Sequence, residues 1–211
     1  QFWYLPHFQV YHPKKPDELR VVFDCSAVYE GDSLNKHLLQ GPEWMNALVG
    51  VLSRFWKEEI AVSSDIEQMF HNFAVNPEHR DFLKFLWFED NDINQPIVEY
   101  RMNAFLFGAV SSPGVANFGL MTTAREGSEE FGDQAREFLE QEFYVDDGLK
   151  SFATTKEAID TIKNTQAMCA SGNLRLHKFA SNSKLVLESI SKEDRANDFK
   201  DLDLRHDTLP T

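Results

Sequence analysis

The sequence predicts an α+β fold of the split βαβ, ferredoxin-like kind. Three observations carry it. A short apolar strand, Ile60 to Val62, runs into Asp65; two short apolar runs flank the carboxylate pair Asp146 and Asp147 in EFYVDDGLKSF; and a well-signalled helix separates that hairpin from a strand at 174–179, LRLHKF. With residues 71–107 set aside as an insert, the order reads strand, helix, strand, strand, helix, strand. In that arrangement the Asp65 strand and the FYVDD hairpin are central antiparallel neighbours, which turns the acidic pair toward a third acid.

Each element follows from local chemistry. In WYLPHFQVYHPKKPDELRVVFDCSA the charged, proline-containing turn KKPDE separates two apolar segments, a hairpin pattern. DSLNKHLLQGPEW reads as loop and short helix, and between Trp44 and Trp56 the residues Leu48, Val51, Leu52 and Phe55 recur at helical spacing. The insert holds two strand-like runs, FLKFLWFED and IVEYRMNAF, about the polar turn DNDINQP. At SSPGVANFGLMTTAREG, Ser112 has the chemistry of an N-cap and Pro113 that of a first helical residue. The later helix is bounded by a capping box, Thr154 with Glu157, and by Gly172; Ala158, Ile159, Ile162 and Cys169 form its apolar stripe. A hairpin-like ASNSKLVLESI follows, and from Ser191 onward the composition is that of a polar, partly disordered tail.

At 211 residues, with 42% hydrophobic content and 18 Phe, the chain has material for one good-sized core or two small ones. No run is long enough to span a membrane and no charged-then-apolar leader is present, so no membrane partner is expected. The first residue is Gln1 rather than Met, which points to an excised piece. Cys25 and Cys169 are the only cysteines, and the seven His residues are scattered; this argues against a zinc site or disulfide scaffold and fits a reducing compartment. The net charge of -13 weighs against a nucleic-acid partner, whose phosphates need Lys and Arg. The acid is unevenly spread, however. Residues 126–147 hold nine Asp/Glu and one Arg, whereas residues 151–211 balance nine against nine, so a local basic groove stays open and divalent cations would offset part of the acid.

Asp146 and Asp147 repel each other, and each resists dehydration against an apolar strand. Taken alone, the pair reads equally well as a solvated hairpin whose two-residue loop is Asp147-Gly148. Read with Asp65, it is a carboxylate constellation. Successive strand side chains alternate faces, so one of the two must be primary. The expectation is that Asp146 faces Asp65, with Asp147 a weaker or outer contributor, and that two Mg²⁺ ions bridge the site, Mn²⁺ being an acceptable substitute. Two such ions about 3.5–4 Å apart serve in-line phosphoryl transfer.

Together these segments resemble the reverse transcriptase domain of long-terminal-repeat retroelements, most closely that of the Pao/BEL retrotransposons. The resemblance rests on YVDD at 144–147, Asp65 in AVSSDIEQMF, FGAVSSP at 107–113, WYLPHF at 3–8, RVVFDCSA at 20–27, SLN at 33–35 and LRLHKFASN at 174–182, in the family's order over almost the whole chain. It implies a polymerase palm with a fingers subdomain: fingers at 1–57 and 71–107, palm at 58–70 and 108–190, and a polar tail, 191–211, leading to a missing thumb. Asp65, Asp146 and Asp147 match the family's metal-binding triad. Phe70 matches the steric gate that favours dNTPs, and Arg20 the residue that holds the incoming triphosphate, with Lys15 a weaker candidate for that task. Lys178 matches a lysine near the pyrophosphate, a general acid for the leaving group. Gly108 belongs to the loop beneath the nucleotide, and Ser112, Pro113 and Tyr144 to the template and primer side. Phe107 departs from the retroviral pattern, which has Gln before that glycine.

The implied activity is RNA-directed DNA polymerisation, with an RNA or DNA template, a DNA primer and dNTPs as partners. The rest of a retroelement polyprotein (thumb, RNase H, protease, integrase) would complete it, in the cytoplasm, virus-like particles included. The alternative is an inert retroelement remnant kept as a folded binding or structural domain. A nucleotide cyclase, another palm-type enzyme, is disfavoured by the RVVFD and SLN segments.

Overall fold

The computed structural model describes residues 2–12 and 15–196, with residues 12 and 15–18 described by their backbone alone. In chain order the elements are β1 (His7–His12), β2 (Lys15–Phe23), α1 (Leu48–Phe55), β3 (Ile60–Ile66), β4 (Lys84–Phe88), β5 (Ile97–Arg101), α2 (Ser112–Phe131), α3 (Asp133–Gln141), β6 (Phe143–Tyr144), β7 (Asp147–Phe152), α4 (Thr155–Ser171), β8 (Leu176–Ser181) and α5 (Lys184–Glu188). Short 3-10 turns join them. This is a mixed helix and sheet fold in which every strand pairing of the named sheets is antiparallel. The chain divides into two units, the described parts of Gln1–Met45 and Gln68–Gly119 forming one and those of Asn46–Glu67 and Leu120–Thr211 the other.

In the second unit four strands run in the order β6-β7-β3-β8. The Asp65 strand and the acidic hairpin are thus central neighbours, in register from Ile60 opposite Phe152 to Asp65 opposite Asp147. Period-two alternation sends Val62, Ser64 and Ile66 into the interior and leaves Asp65 on the other face. Helix α4 packs on β3, β7 and β8, and α3 on α4. Their buried stripes are Ala158, Ile162, Met168 and Cys169 on α4 and Ala135, Phe138 and Leu139 on α3, and the Phe138 ring meets those of Phe143 and Phe152. Each such ring contributes about 1.5–3 kcal/mol by leaving water.

Helix α4 begins as its sequence predicts: the Thr154 hydroxyl accepts from the Glu157 backbone N–H at 3.2 Å, and Gly172 is the C-cap. Helix α3 is an element beyond those the sequence predicts. It restarts after α2 at Gly132, whose φ of +88° lies in the left-handed region that glycine tolerates.

Three expectations need correction. Ser112 is not an N-cap: it lies inside α2, and its buried hydroxyl donates to the Leu106 carbonyl at 2.6 Å. The segment after β8 is not a hairpin but the short helix α5, because the Asn182 side chain accepts from Ala61 N–H and donates to the Glu59 carbonyl, closing the start of β3 where a further strand residue would pair. The two-residue loop of the acidic hairpin is Val145-Asp146, not Asp147-Gly148, since Tyr144 pairs with Asp147 and Phe143 with Gly148. The tip of the first hairpin, residues 13 and 14, and the tail from residue 197 lie outside the described residues.

The first unit holds the hairpins β1-β2 and β4-β5. Its core gathers Leu5, Cys25, Leu34, Val75, Leu83, Leu106 and Ala109, with Trp3, Phe23 and Phe105 packed against it. Both cysteines are free and buried, and burial pushes their thiols up to about 11 for Cys25 and about 12 for Cys169, which suppresses the reactive thiolate. No described helix is long and apolar enough to cross a membrane.

Candidate functional site

The acidic residues converge in the second unit. Asp65 is the direct cross-strand partner of Asp147, and Asp146 sits one residue away in the turn, where its carbonyl accepts from the Ile66 N–H at 3.0 Å. The sequence makes Asp146 the expected primary partner of Asp65; in the backbone register the residue directly opposite Asp65 is Asp147. The turn itself is strained. Val145 takes φ +58° in the first of the two loop positions, where a type II′ turn usually carries glycine and a β-branched residue is disfavoured.

Burial pushes the Asp146 carboxyl above its ordinary range, the charge of Asp65 adds to the shift, and its own backbone N–H and Lys178 oppose it. The Asp147 carboxyl is raised as well, first by loss of hydration and then by the charges of Asp146 and Asp65, again against Lys178. Three carboxylates that feel one another in this way are a hard-oxygen donor set, the chemistry that Mg²⁺ and Mn²⁺ prefer. Their present arrangement is not a closed cage: among the described residues no group of three or more His, Cys, Asp or Glu side chains is gathered to hold a metal ion.

Asp65 is instead engaged by β8. His177 Nε2 lies 3.0 Å from its Oδ1 and Lys178 Nζ 3.0 Å from its Oδ2. From the sequence, Lys178 is assigned to the pyrophosphate rather than to Asp65, and His177 has no role. Its place beside Lys178 gives no signal, because regular strand alternation would send the two side chains to opposite faces.

All the remaining candidates but Tyr144 belong to the first unit. Phe70 is 4% exposed, and its ring meets that of Phe107 edge to face with centroids 4.3 Å apart. Arg20 is exposed on β2 opposite Val10, and the Lys15 side chain lies outside the described residues. Gly108 takes φ +94°, and a Cβ there would stand 2.9 Å from the Phe23 carbonyl, so the loop tolerates only glycine. The SLN asparagine fixes this loop: Asn35 donates to the Gly108 carbonyl at 2.8 Å and to the Ser26 hydroxyl at 2.9 Å, and accepts from the Val110 N–H at 3.0 Å. Pro113 lies in the first turn of α2, beside buried Ser112. Tyr144, in the second unit, is the last residue before the acidic turn. A cavity of about 1110 Å³ walled by Phe2, Trp3, Phe82 and Phe105 also lies in the first unit, and none of Asp65, Asp146 and Asp147 lines it.

The fold is similar to that of retroviral reverse transcriptase fragments. Among solved structures, prototype foamy virus protease-reverse transcriptase (CSH mutant) superposes with a TM-score of 0.64 at 16% identity, over 86% of this chain and 21% of that one. The foamy viral protease-reverse transcriptase dRH in complex with ds DNA gives 0.62 at 14% identity, over 83% and 27%. The foamy viral enzyme in complex with RNA/DNA hybrid gives 0.61 at 14% identity, over 83% and 20%. The chain therefore spans only about a fifth to a quarter of the length of these proteins, and at such identity the likeness concerns the fold. No protein-family model and no curated protein matches the chain.

Proposed function

We propose that this chain is the ferredoxin-like palm and the fingers of an RNA-directed DNA polymerase from a retrotransposon of the Pao/BEL type. The observation that supports the reading is Asp65 paired across strands with Asp147, with Asp146 in the adjoining turn, in a fold similar to that of reverse transcriptase fragments. The fingers comprise 1–57 and 71–107 and the palm 58–70 and 108–190, with 191–211 leading toward a thumb.

Asp65, Asp146 and Asp147 would hold two Mg²⁺ ions, or Mn²⁺, which supply activation of the primer 3′-hydroxyl and neutralisation of charge on the transferred phosphoryl group. The chain's own residues bind and orient. Arg20, assisted by Lys15, grips the triphosphate; Phe70 closes the space below the sugar; Gly108 lets the backbone approach the nucleotide; Ser112 and Pro113 shape the loop beneath the template, with Tyr144 on the primer side. Lys178 gives a proton to the departing pyrophosphate. Template with DNA primer, dNTPs and the remainder of a polyprotein are the partners, in the cytoplasm. The complexes of the foamy viral proteins with ds DNA and with RNA/DNA hybrid support the nucleic-acid part of this reading.

Primer extension tests it: the chain, an RNA template annealed to a DNA primer, dNTPs, and Mg²⁺ or Mn²⁺. Incorporation that disappears in Asp65→Asn and Asp146→Asn is the expected result. Equal incorporation in Asp146→Asn, or no incorporation together with no template–primer binding, overturns it. The second reading, an inert remnant serving as a binding or structural domain, draws on the net charge of -13 and the open arrangement of the acids, and it requires no divalent-ion binding at all.

A further inference from the structure

Strand β8 carries one residue too many. From Ser63 to Asp65 is two steps along β3, yet their partners, Ala180 and His177, are three apart on β8. The surplus is taken up at Lys178, whose φ of +50° lies in the left-handed region. A bulge of this kind re-aims side chains, and here it defeats the alternation that would separate neighbours. His177 and Lys178 consequently both reach Asp65, one on each carboxylate oxygen, at 3.0 Å.

The two contacts differ in kind. His177 is nearly enclosed, with 11% of its side chain exposed, and an imidazole N–H on one oxygen is the sort of outer partner that orients a metal-binding carboxylate. Lys178 is 58% exposed and carries a full positive charge against the other oxygen. A divalent cation held by that oxygen would meet the ammonium as a like charge. One must leave, and the flexible, solvent-facing lysine can.

We propose that the β8 bulge makes Lys178 a place-holding cation on Asp65 Oδ2, displaced when a divalent cation binds, while His177 stays on Oδ1 and keeps the carboxylate oriented. This rests on the reading of the acidic residues as a metal site and deepens it: loading the site releases the very lysine assigned to the leaving group. His177 is then a positioning residue.

The test uses the whole chain and two independent readouts. Mn²⁺ binding is counted by electron paramagnetic resonance, and the acylation rate of Lys178 is followed by mass spectrometry in EDTA and in saturating Mg²⁺, with exposed Lys156 as internal reference. The expected result is that Mg²⁺ speeds Lys178 acylation about two- to fivefold, the size of a partly exposed ion pair, and that Asp65→Asn does the same in EDTA. Lys178→Met should tighten Mn²⁺ binding, whereas His177→Leu should weaken it about tenfold and His177→Gln, which keeps a donor, should restore it. If Mn²⁺ binds while Lys178 acylation is unchanged, displacement is overturned and the metal site stands. If neither the wild type nor Lys178→Met binds Mn²⁺, the metal site falls and this proposal with it.

Discussion

Asp65 and Asp147 are direct cross-strand partners at the end of the β3-β7 ladder, with Asp146 adjoining them in the turn. Directly opposed strand residues share a face, and like charges so placed destabilise the pair. The site therefore lowers the stability of the chain that carries it.

A pH dependence of definite sign results. The carboxyls of Asp146 and Asp147 are raised in the folded chain above their ordinary value of 3.8. Between 3.8 and the raised folded values the folded state binds more protons than the unfolded state. The stabilising effect of protonation is fully present below 3.8 and is lost as the pH rises through the folded values. In EDTA, Asp146→Asn should melt above the wild type at pH 7, and the gap should shrink as the pH falls toward 4. Thermal melts across that range check it; a variant that melts lower at pH 7 contradicts it.

Glu142 offers the opposite case, a carboxylate the fold compensates. It is 6% exposed, with Arg54 Nε at 2.8 Å and Lys150 Nζ at 3.5 Å, while Arg54 also donates to the Gln141 carbonyl. Arg54→Leu should cost about 2–3 kcal/mol in urea unfolding, less than the 3–5 of a fully buried pair because Arg54 is partly exposed and Lys150 remains. Adding Glu142→Leu to that variant should recover much of the loss. No recovery would mean the guanidinium acts through packing alone.

How far the sequence discloses all this depends on how local each cause is. The α4 cap is legible because Thr154 and Glu157 are three residues apart and act on one backbone turn. The Asp65 strand is legible from its apolar run. The register of the acidic hairpin is not, because Asp147-Gly148 has the better turn chemistry and the observed loop puts Val145 at an unfavourable φ that only the surrounding pairings enforce. The bulge at Lys178 depends on how β8 meets β3, a relation no single segment encodes. Helix α3 had a readable signal, Gly132 followed by Ala135, Phe138 and Leu139 at helical spacing.

Asn35 makes three hydrogen bonds that hold the Gly108 loop against Ser26. Asn35→Ala leaves the Gly108 carbonyl and the Val110 N–H without that partner. Each lost hydrogen bond costs about 0.5–1.5 kcal/mol, so a destabilisation of about 2 kcal/mol is expected by chemical denaturation. Asn35→Asp keeps the acceptor for Val110 but not the donor for Gly108, and should fall between the two. An Asn35→Ala chain as stable as the wild type would show that water replaces the amide fully.

Val145 links stability to site geometry most directly. A non-glycine residue in the left-handed region costs about 1–2 kcal/mol, more often borne where a site needs a particular backbone path. Val145→Gly removes that cost but adds about 0.5–1 kcal/mol of backbone entropy to be lost on folding, leaving a net gain of about 0.5–1 kcal/mol. Val145→Ala keeps the strained φ and gains nothing, which separates strain relief from the mere loss of a side chain. The glycine variant should also hold Asp146 less firmly, so its Mn²⁺ affinity should fall even as its unfolding midpoint rises. If both quantities rise together, the strain at Val145 serves no purpose in placing Asp146.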